Sequence, residues 1–468
     1  MDVTMDIYLN NTLTRKKEKF VPIKKEEVGI YSCGPTVYFF PHIGNMRAYV
    51  FADVLRRSLE YSGLKVKQVI NITDVGHLTS NQDSGEDKIE QTAKKEGKTA
   101  GEITKFYEEA FYKDLADLNI EIKDTKFPRA TEHIVEQIEI IKILEEKGFA
   151  YKISDGIYFD TSKFKDYGKL GNINLKEQKE GARVEINNEK KNPTDFALWK
   201  FSKPEEKRLQ EWPSPWGTGF PGWHIECSAM SRKYLGQPFD IHTGGIDHIP
   251  VHHNNEIAQS ECAFSVPLAN FWLHNEFLTV EGEKMSKSLG NIFTISDLKE
   301  RGVHPLSFRY WLLTSHYRSP ANFTWESVFG AQTAFEKIIV KYSDWVETEY
   351  VEGALNDSDV KQFEEAIADD LNTPIVIAIL QKVSGGAVVN KMDKILGLNI
   401  KVLAEQLRDI PDEISKLQEE RDNVRADKDW KKSDEIRGTI EQKGYTVFDS
   451  SDKSVILKTL SLLAKERN

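Results

Sequence analysis

Short apolar runs alternate with helical patterns in the first part of the chain. Residues 28–33 are short and largely apolar, which predicts a buried strand. In residues 46–61, Val50 and Val54 repeat at helical spacing, and Gly63 follows where a left-handed C-terminal cap would fall. Residues 64–73 predict a second strand. Two strands joined by a helix of this length indicate a right-handed parallel crossover, the first part of a doubly wound sheet.

The carboxyl ends of these two strands are the expected ligand-binding positions. In doubly wound sheets, ligands bind outside the carboxyl ends of the strands. That rule points to residues 33–45 and to Thr73 with Asp74 before any motif is considered.

The parallel-sheet pattern is interrupted and then resumes. From about residue 80 to 211 the chain reads as charged helices and polar loops, with an amphipathic helix at 130–147 and a polar exposed loop at 176–192. Strand-like runs return at 239–241 and 271–280. The intervening stretch is therefore expected to be an insertion that splits one domain.

The remainder of the chain is mostly helical. After about residue 325 nearly every segment has helical periodicity, up to a last part with charged helices and a short β-like run at 445–448. A chain of 468 residues leads us to expect two to four domains.

Composition excludes several classes of protein. The net charge of −11 argues against a protein that coats nucleic acid nonspecifically, although local basic patches remain compatible with such a partner. Three cysteines, Cys33, Cys227 and Cys262, are too few for a disulfide scaffold and indicate a reducing compartment. Residues 1–11 lack the apolar core of a signal peptide, and the run at 375–380 is too short to span a membrane. We expect a soluble, cytoplasmic protein.

The loop at 41–45, Pro-His-Ile-Gly-Asn, lies between the first strand and its helix. Free backbone N–H groups and the positive dipole end of a helix N-terminus suit a phosphate. Gly44 lets a large ligand approach the backbone, and His42 can hydrogen-bond phosphates. The alternative is an ordinary turn in which His42 caps the helix.

A second loop at 284–291, Lys-Met-Ser-Lys-Ser-Leu-Gly-Asn, is more specific. Lys284 and Lys287 lie three residues apart among small hydroxyl residues, which makes a mobile cationic loop able to clamp a triphosphate and neutralise a leaving pyrophosphate. The alternative is a solvated surface loop.

Together, these two motifs resemble those of class I aminoacyl-tRNA synthetases. Three further segments, at 31–38, 222–230 and 252–260, resemble the cysteinyl-tRNA synthetase family more narrowly, and the resemblance runs from about residue 22 to residue 450. It implies a Rossmann-type doubly wound α/β catalytic domain, split by a connective insertion and followed by a helical bundle and a small mixed α/β anticodon-binding domain. The implied boundaries are 1–79 and 212–282 for the catalytic domain, 80–211 for the insertion, 283–335 for the second loop with a stem-contact region, 336–405 for the bundle and 406–468 for the anticodon-binding domain.

The resemblance also implies one zinc ion per chain, held by Cys33, Cys227, His252 and Glu256. His252 and Glu256 are four residues apart and would share one face of a helix, but spacing alone leaves buried apolar cysteines as the default. Two thiolates, an imidazole and a carboxylate make a tetrahedral zinc site. We expect His253 to be an outer-shell residue or to lie on the helix surface, and Cys262 to be a core residue.

Such a metal would distinguish cysteine from serine, because the serine hydroxyl matches a thiolate in neither softness nor acidity. By resemblance, Trp223 packs over the side-chain pocket, while Thr73 and His224 flank the bound amino acid. The alternative for Trp223 is plain core packing. Gly245 and Asp247 resemble the adenosine-ribose site, although Gly-x-Asp is also a common turn.

Four residues near the C-terminus match the anticodon-contacting positions of the family: Arg425, Trp430, Asp434 and Asp449. Arginine and tryptophan offer phosphate contact and a stacking face, and aspartates accept hydrogen bonds from base edges. The alternative is a charged solvated helix with Trp430 as its core anchor.

The implied activity is ATP-dependent activation of L-cysteine followed by transfer to the terminal adenosine of cysteine tRNA. The implied catalytic residues are His42, Asn45, Lys284 and Lys287, with Mg²⁺ on ATP and Gly44, Gly245, Asp247 and Lys287 as ATP contacts. Asn45 stands where this family usually has histidine. A monomer without membrane contact is expected.

Two other functions are alternatives at this point. One is a related ligase that joins cysteine to an amino-sugar, as in mycothiol synthesis, which lacks the anticodon segment. The other is a non-enzymatic zinc- and tRNA-binding relative, which would not need Lys287.

Overall fold

The chain forms two compact units in the computed structural model, which describes residues 5–75, 87–172, 187–203, 208–347, 357–449 and 454–466. The first unit comprises Met1–Pro41, Leu59–Asp114 and Glu121–Phe277. The second unit is made of the remaining stretches, His42–Ser58, Leu115–Ile120 and Leu278–Asn468. Most of the polar loop predicted at 176–192 lies outside the described residues.

A four-stranded, all-parallel sheet forms the centre of the first unit. Its strands lie in the spatial order Ala269–Asn275, Phe239–Gly245, Glu27–Ser32, Lys65–Ile70. Chain order therefore reverses between Glu27–Ser32 and Phe239–Gly245, which makes that gap the topological switch point. Ligands bind at such a crevice in open α/β sheets.

The predicted crossover is present, with helix Ile43–Tyr61 between strands Glu27–Ser32 and Lys65–Ile70. The single strand predicted at 271–280 is wrong. Ala269–Asn275 ends the parallel sheet, and Leu278–Val280 joins a different sheet in the second unit. The break falls at the polar residues 274–276, where the Glu276 carboxylate accepts a hydrogen bond from the Phe277 N–H.

A second sheet of the first unit is antiparallel. Its strands are Ala150–Ile153, Gly156–Phe159, Phe196–Phe201 and Gly219–Pro221. A Cβ on Gly219 would lie 2.0 Å from the Lys200 carbonyl oxygen, so only glycine permits this close strand approach.

The other elements of the first unit are helical, apart from an antiparallel pair of short strands. The helix predicted at 130–147 begins as a 3₁₀ turn, Ala130–His133, before the α-helix Ile134–Glu146. The remaining elements are Tyr8–Asn11, Lys16–Lys19, Lys88–Glu96, Ala100–Asp117, Trp223–Leu235 and Asn254–Phe264.

The second unit is mostly helical, as the sequence predicts after about residue 325. A small sheet has the strand order Glu283–Lys284, Leu278–Val280, Ala321–Phe323. The helices that follow it or lie beside it are Ile295–Glu300, Pro305–Leu313, Trp325–Glu347, Asp357–Ala368, Thr373–Lys382, Gly386–Leu396 and Ile400–Arg408.

Arg309 is a fully buried cation at the centre of the second unit. It forms an ion pair with the equally buried Asp53. Its guanidinium also donates to the carbonyl oxygens of Leu396, at 2.7 Å, and Leu118, at 2.9 Å. Because an unpaired buried charge is very costly, this network requires all three partners to stay in place.

The end of the chain is a small mixed α/β region. Helices Asp412–Ala426 and Trp430–Gln442 pack with the antiparallel strands Tyr445–Asp449 and Ser454–Lys458, followed by helix Leu460–Glu466. The predicted α/β class, with a parallel-sheet domain, a helical C-terminal part and a small mixed region, is confirmed. Within the described ranges, no helix is long and apolar enough to cross a membrane.

Candidate functional site

The four predicted metal ligands lie together at the switch point of the parallel sheet. One ligand atom from each of Cys33, Cys227, His252 and Glu256 falls within 4.8 Å of the other three. Cys33 follows strand Glu27–Ser32 directly. The three other side chains are almost fully buried.

The local backbone explains how His252 and Glu256 reach the same point. The segment Ile249–His253 is a π-helical turn that leads into helix Asn254–Phe264. Such turns occur often at functional sites, because they redirect side chains along one helix. His252 Nε2 lies 3.0 Å from Glu256 Oε1.

One of the two cysteines, Cys227, loses its thiol proton readily, while the other, Cys33, keeps it. Hydrogen bonding from Cys33 lowers the pKa of Cys227 to about 6, although burial opposes this. Burial raises the pKa of Cys33 well above its ordinary value. The pair therefore holds a thiolate at Cys227, the form in which cysteine binds metals.

Glu256 is a buried carboxylate that stays charged. Burial raises its pKa, but His242 and His252 outweigh burial and bring it to about 2. For His252, burial lowers the pKa, but the negative charges of Glu256 and Cys227 outweigh burial and raise the pKa to about 10. The site thus holds a thiolate and a carboxylate close together in a buried position, and these two negative charges favour a bound cation.

The donor chemistry of this cluster fits zinc. Thiolates and imidazole select zinc over the hard cations Mg²⁺ and Ca²⁺, and four ligands suit its tetrahedral preference. Cys262 lies instead in an apolar core cluster with Trp199 and Leu144, as predicted.

A group of histidines around the cluster was missed at the sequence level. His242, His248 and His274 pack their rings against His252 or His253. His242 and His274 sit in strands Phe239–Gly245 and Ala269–Asn275. The rule that placed the ligand site at strand carboxyl ends could have singled out His274, which is one residue from the end of its strand.

His253 is not on the helix surface, which was one of its two predicted positions. It is fully buried, and its Nε2 lies 3.2 Å from Cys33 Sγ. Its Nδ1 lies 2.8 Å from His274 Nε2. A second candidate group, Cys33, His242, His253 and Glu256, overlaps the first, so one metal ion at a time could use the shared Cys33 and Glu256.

The predicted amino-acid pocket residues Trp223 and His224 lie against the metal cluster. The Trp223 ring is 4.3 Å from the ring of His252, centre to centre, and His224 Nδ1 is 2.9 Å from His252 Nδ1. Thr73 accepts a hydrogen bond from Asn71, and its N–H donates to the Pro35 carbonyl, two residues beyond Cys33.

Gly245 ends strand Phe239–Gly245, and Asp247 is exposed in the turn that follows. The neighbouring Gly244 packs against the histidine group, because a Cβ there would lie 2.6 Å from the His253 ring. The exposed Asp247 carboxylate therefore lies two residues after Gly245, the glycine at which the strand ends.

In the second unit, the loop that contains His42 is closed by two reciprocal hydrogen bonds. The His42 N–H donates to Asn45 Oδ1 at 3.1 Å, and the Asn45 N–H donates to His42 Nδ1 at 3.2 Å. With Nδ1 accepting, neutral His42 carries its proton on Nε2. Asn45 thus shapes the loop with its oxygen.

The lysine-containing loop touches this same loop. A Cβ on Gly44 would lie 2.2 Å from Met285 Cε, and the Ile43 N–H donates to the Phe293 carbonyl at 2.8 Å. Asn291 fastens the loop, since its side chain accepts from the Ser286 N–H and donates to the Lys284 carbonyl. Lys284 is exposed, and the Lys287 side chain lies outside the described residues.

The four predicted anticodon residues lie in the mixed α/β region. Trp430 is 59% exposed, so it is not a core anchor. Asp434 is also exposed. Asp449 forms ion pairs with Arg421, Arg425 and Arg437, and Arg421 in particular lowers its pKa.

Comparison with known proteins identifies the class. The model of one protein family, described as the tRNA synthetases class I (C) catalytic domain, matches residues 19–333 of this chain. A solved structure of Mycobacterium tuberculosis methionyl-tRNA synthetase in complex with methionyl-adenylate is similar in fold, with a TM-score of 0.57, 15% identity and coverage of 81% of this chain and 91% of that chain. The chain therefore belongs to the class I tRNA synthetases.

Proteins similar in sequence to this chain identify the family within that class. Cysteine–tRNA ligase 1 of Burkholderia lata is 46% identical over 458 residues, with 96% of each chain covered. The cysteine–tRNA ligase of Treponema denticola is 43% identical, with 96% of this chain and 99% of that relative covered. Within the class, the chain is a member of the cysteine–tRNA ligase family and an enzyme.

Proposed function

We propose that this enzyme attaches L-cysteine to cysteine tRNA at the expense of ATP. The observation that carries the proposal is the cluster of Cys33, Cys227, His252 and Glu256 at the switch point of a class I synthetase sheet. In the first step the cysteine carboxylate attacks the ATP α-phosphate, forms cysteinyl-adenylate and releases pyrophosphate. In the second step a ribose hydroxyl of the terminal adenosine takes the cysteinyl group.

The four clustered side chains would hold one zinc ion per chain. When bound, the ion supplies a Lewis acid with a strong preference for the substrate thiolate over a hydroxyl. Trp223 and His224 would close the pocket beside it, and Thr73 would orient the amino acid. A hydrophobic pocket alone could separate cysteine from serine by only about 1–3 kcal/mol.

The two loops of the second unit would bind ATP with its Mg²⁺. His42 would donate from Nε2 to a phosphate oxygen, and Gly44 would admit the nucleotide close to the backbone. Lys284 and Lys287 would neutralise charge that develops on the pyrophosphate. In the first unit, Gly245 and Asp247 would receive the ribose. Catalysis would then rest on positioning and electrostatics, without a covalent enzyme intermediate.

The C-terminal part would select the tRNA. Exposed Trp430 offers a stacking face, and Arg425, Asp434 and Asp449 offer polar contacts to the anticodon bases. We propose that the domain boundaries given from the sequence hold, and that the enzyme acts as a cytoplasmic monomer.

Amino-acid-dependent exchange of pyrophosphate into ATP tests the first step, and charging of a cysteine tRNA transcript tests the second. We expect both with cysteine and neither with serine. Exchange without charging would favour a cysteine:amino-sugar ligase, while binding of tRNA without exchange would favour a non-enzymatic relative.

Replacing Asn45 with histidine is expected to keep or raise cysteine activation. A histidine Nδ1 can accept the His42 N–H in place of the Asn45 oxygen, and its ring adds a donor that can carry charge. Pyrophosphate exchange measures the effect, with Asn45→Ala as the control that removes the acceptor. A loss beyond about tenfold, roughly 1.4 kcal/mol of barrier, would contradict this role.

Replacing Trp430 with alanine is expected to lower kcat/KM for tRNA charging. Stacking of one base on an aromatic ring is worth about 1–3 kcal/mol, or about 5- to 150-fold. Trp430→Phe keeps a stacking face and should retain most of the activity. A charging rate unaffected by Trp430→Ala would leave this ring without a part in tRNA selection.

A further inference from the structure

An exposed cluster of aromatic rings lies on the surface of the first unit. Phe39, Phe40 and Phe106 are 40%, 40% and 44% exposed, and we refer to them with Tyr107 as the aromatic patch. The Phe40 ring is 5.7 Å from Phe106 and 5.0 Å from Tyr107, centre to centre. Phe39 lies 6.1 Å from Phe40. Three neighbouring phenylalanine rings in water are costly unless something covers them.

The patch is a built platform. Tyr107 is buried beneath it, and its hydroxyl donates to Glu96 at 3.0 Å. The Thr92 hydroxyl, in helix Lys88–Glu96, donates to the Lys88 carbonyl at 2.9 Å and lies 3.3 Å from the Tyr38 carbonyl, so the loop before Phe39 packs against that helix. The rings are therefore held in place before any ligand arrives, which lowers the entropy lost on binding.

Positive charge borders the patch. Lys98 Nζ lies 5.1 Å above the Phe106 ring, and Lys88 Nζ lies 5.4 Å above the Tyr38 ring. Glu96 accepts from both Lys98 and Tyr107, so Lys98 lies beside the rings as one member of an ion pair. Aromatic rings flanked by lysines are the surface that single-stranded nucleic acid recognises, through base stacking and phosphate contact.

The patch and the proposed nucleotide loop contain residues that are close neighbours in the sequence. Phe40 precedes His42 by two residues, so their Cα atoms are at most about 7 Å apart. Under the proposed function, His42 contacts the ATP phosphates, and the terminal adenosine of the tRNA must come to the adenylate formed there.

We propose that the aromatic patch binds the unpaired 3′ end of the tRNA, with bases stacked on Phe39, Phe40 and Phe106 and phosphates near Lys88 and Lys98. This proposal rests on the proposed function and deepens it. Stacking tolerates any base, because every base has a π-face. Stacking without base preference therefore suits the 3′ end of the tRNA, since under the proposed function the C-terminal part reads the anticodon.

The test compares two RNAs against two proteins. The RNAs are a cysteine tRNA transcript and the same transcript without its last three nucleotides. The proteins are wild type and Phe106→Leu, which keeps apolar volume but loses the π-face. Dissociation constants are measured by filter binding at one fixed salt concentration, since phosphate contacts depend on salt.

We expect Phe106→Leu to weaken binding of the full transcript at least about fivefold, and to leave binding of the shortened transcript unchanged. Such non-additivity reports a direct coupling between the ring and the missing nucleotides. An equal loss on both RNAs would overturn the proposal in favour of another occupant, such as the stem of the tRNA. No loss on either RNA would also overturn it.

Three further variants separate stacking from folding. Phe106→Trp enlarges the stacking face and should keep wild-type binding, and Phe39→Leu should repeat the coupled loss. Tyr8→Leu, at an exposed ring of strand Tyr8–Asn11, is the matched control and should change nothing. If Phe106→Trp loses as much as Phe106→Leu, the ring has only a packing role and the proposal fails.

The proposed function can fail independently. If wild-type protein shows no cysteine-dependent pyrophosphate exchange, the function is wrong whatever the binding data show. If wild type charges the transcript but the coupling is absent, only the role of the patch is wrong.

Discussion

Replacing Cys227 with serine is expected to lower zinc affinity by more than about 100-fold, beyond the 10- to 100-fold typical of an outer-shell partner. The pKa of Cys227 is lowered to about 6, so this residue supplies a thiolate at neutral pH. A serine hydroxyl stays protonated and is a hard ligand. Cysteine activation should fall with the metal, and the preference for cysteine over serine should disappear. Competition with a chromophoric chelator gives the affinity, and pyrophosphate exchange with both amino acids gives the preference.

Cys262→Ser is the matched control for this experiment. Cys262 is also buried, but it lies in an apolar core cluster outside the predicted ligand set. The same atom exchange there should reduce stability without changing zinc affinity or amino-acid preference. If a protein stripped of zinc activated cysteine at the full rate, the metal would have no part in the first step.

Replacing Asp53 with alanine is expected to destabilise the second unit by about 3–5 kcal/mol, the usual cost of leaving one member of a buried ion pair alone. Asp53 pairs with the fully buried Arg309 and accepts from Arg57 at 2.8 Å. Its removal leaves the buried Arg309 cation without its ion-pair partner. Urea unfolding, followed by tryptophan fluorescence, should show a clearly lower midpoint.

Glu365→Ala supplies the comparison for an exposed pair. Lys361 and Glu365 lie on the surface of helix Asp357–Ala368, 3.8 Å apart. Exposed pairs contribute about 0–1 kcal/mol, so the midpoint should hardly move. An Asp53 variant that unfolds at the wild-type urea concentration would mean that the Arg309 network is not essential to the unit.

The parallel sheet was predictable because its signals are local. The run at 28–33, the helical spacing of Val50 and Val54, and Gly63 together indicate one crossover, and the strand-end rule then points to Cys33. The break at Glu276 was not predictable from the same kind of signal. Three polar residues at 274–276 do interrupt the apolar run, but polar residues also occur inside strands, and the hydrogen bond that marks the break involves a single side chain.

The candidate metal cluster shows where local signals end. Nothing in the sequence near Cys33 indicates that Cys227 returns to it, since the insertion separates them, and only the family resemblance supplied the pair. His242 and His274 were missed because a lone histidine in a strand resembles any half-buried polar residue. Their positions depend on strand order, which places the two histidine-bearing strands side by side, next to the strand that precedes Cys33.

Trp430 shows the opposite case. Composition favoured a core anchor, because tryptophan among charged residues usually packs inward. The ring begins helix Trp430–Gln442 and remains mostly exposed, while Ile436 and Ile440 fill the core. Within this helix, the spacing of Ile436 and Ile440 identifies the buried face better than residue type does.

The Arg309 network also limits how this chain could be recombined with a relative. Its partners Asp53, Leu118 and Leu396 come from near the start, the first quarter and the last quarter of the chain. In a hybrid of two proteins joined at any one point between Asp53 and Leu396, the partners of the buried Arg309 guanidinium would come from both proteins. If the C-terminal half of this chain were exchanged for that of a relative, the hybrid would keep the Asp53–Arg309 ion pair only if both proteins have the same two residues at these positions.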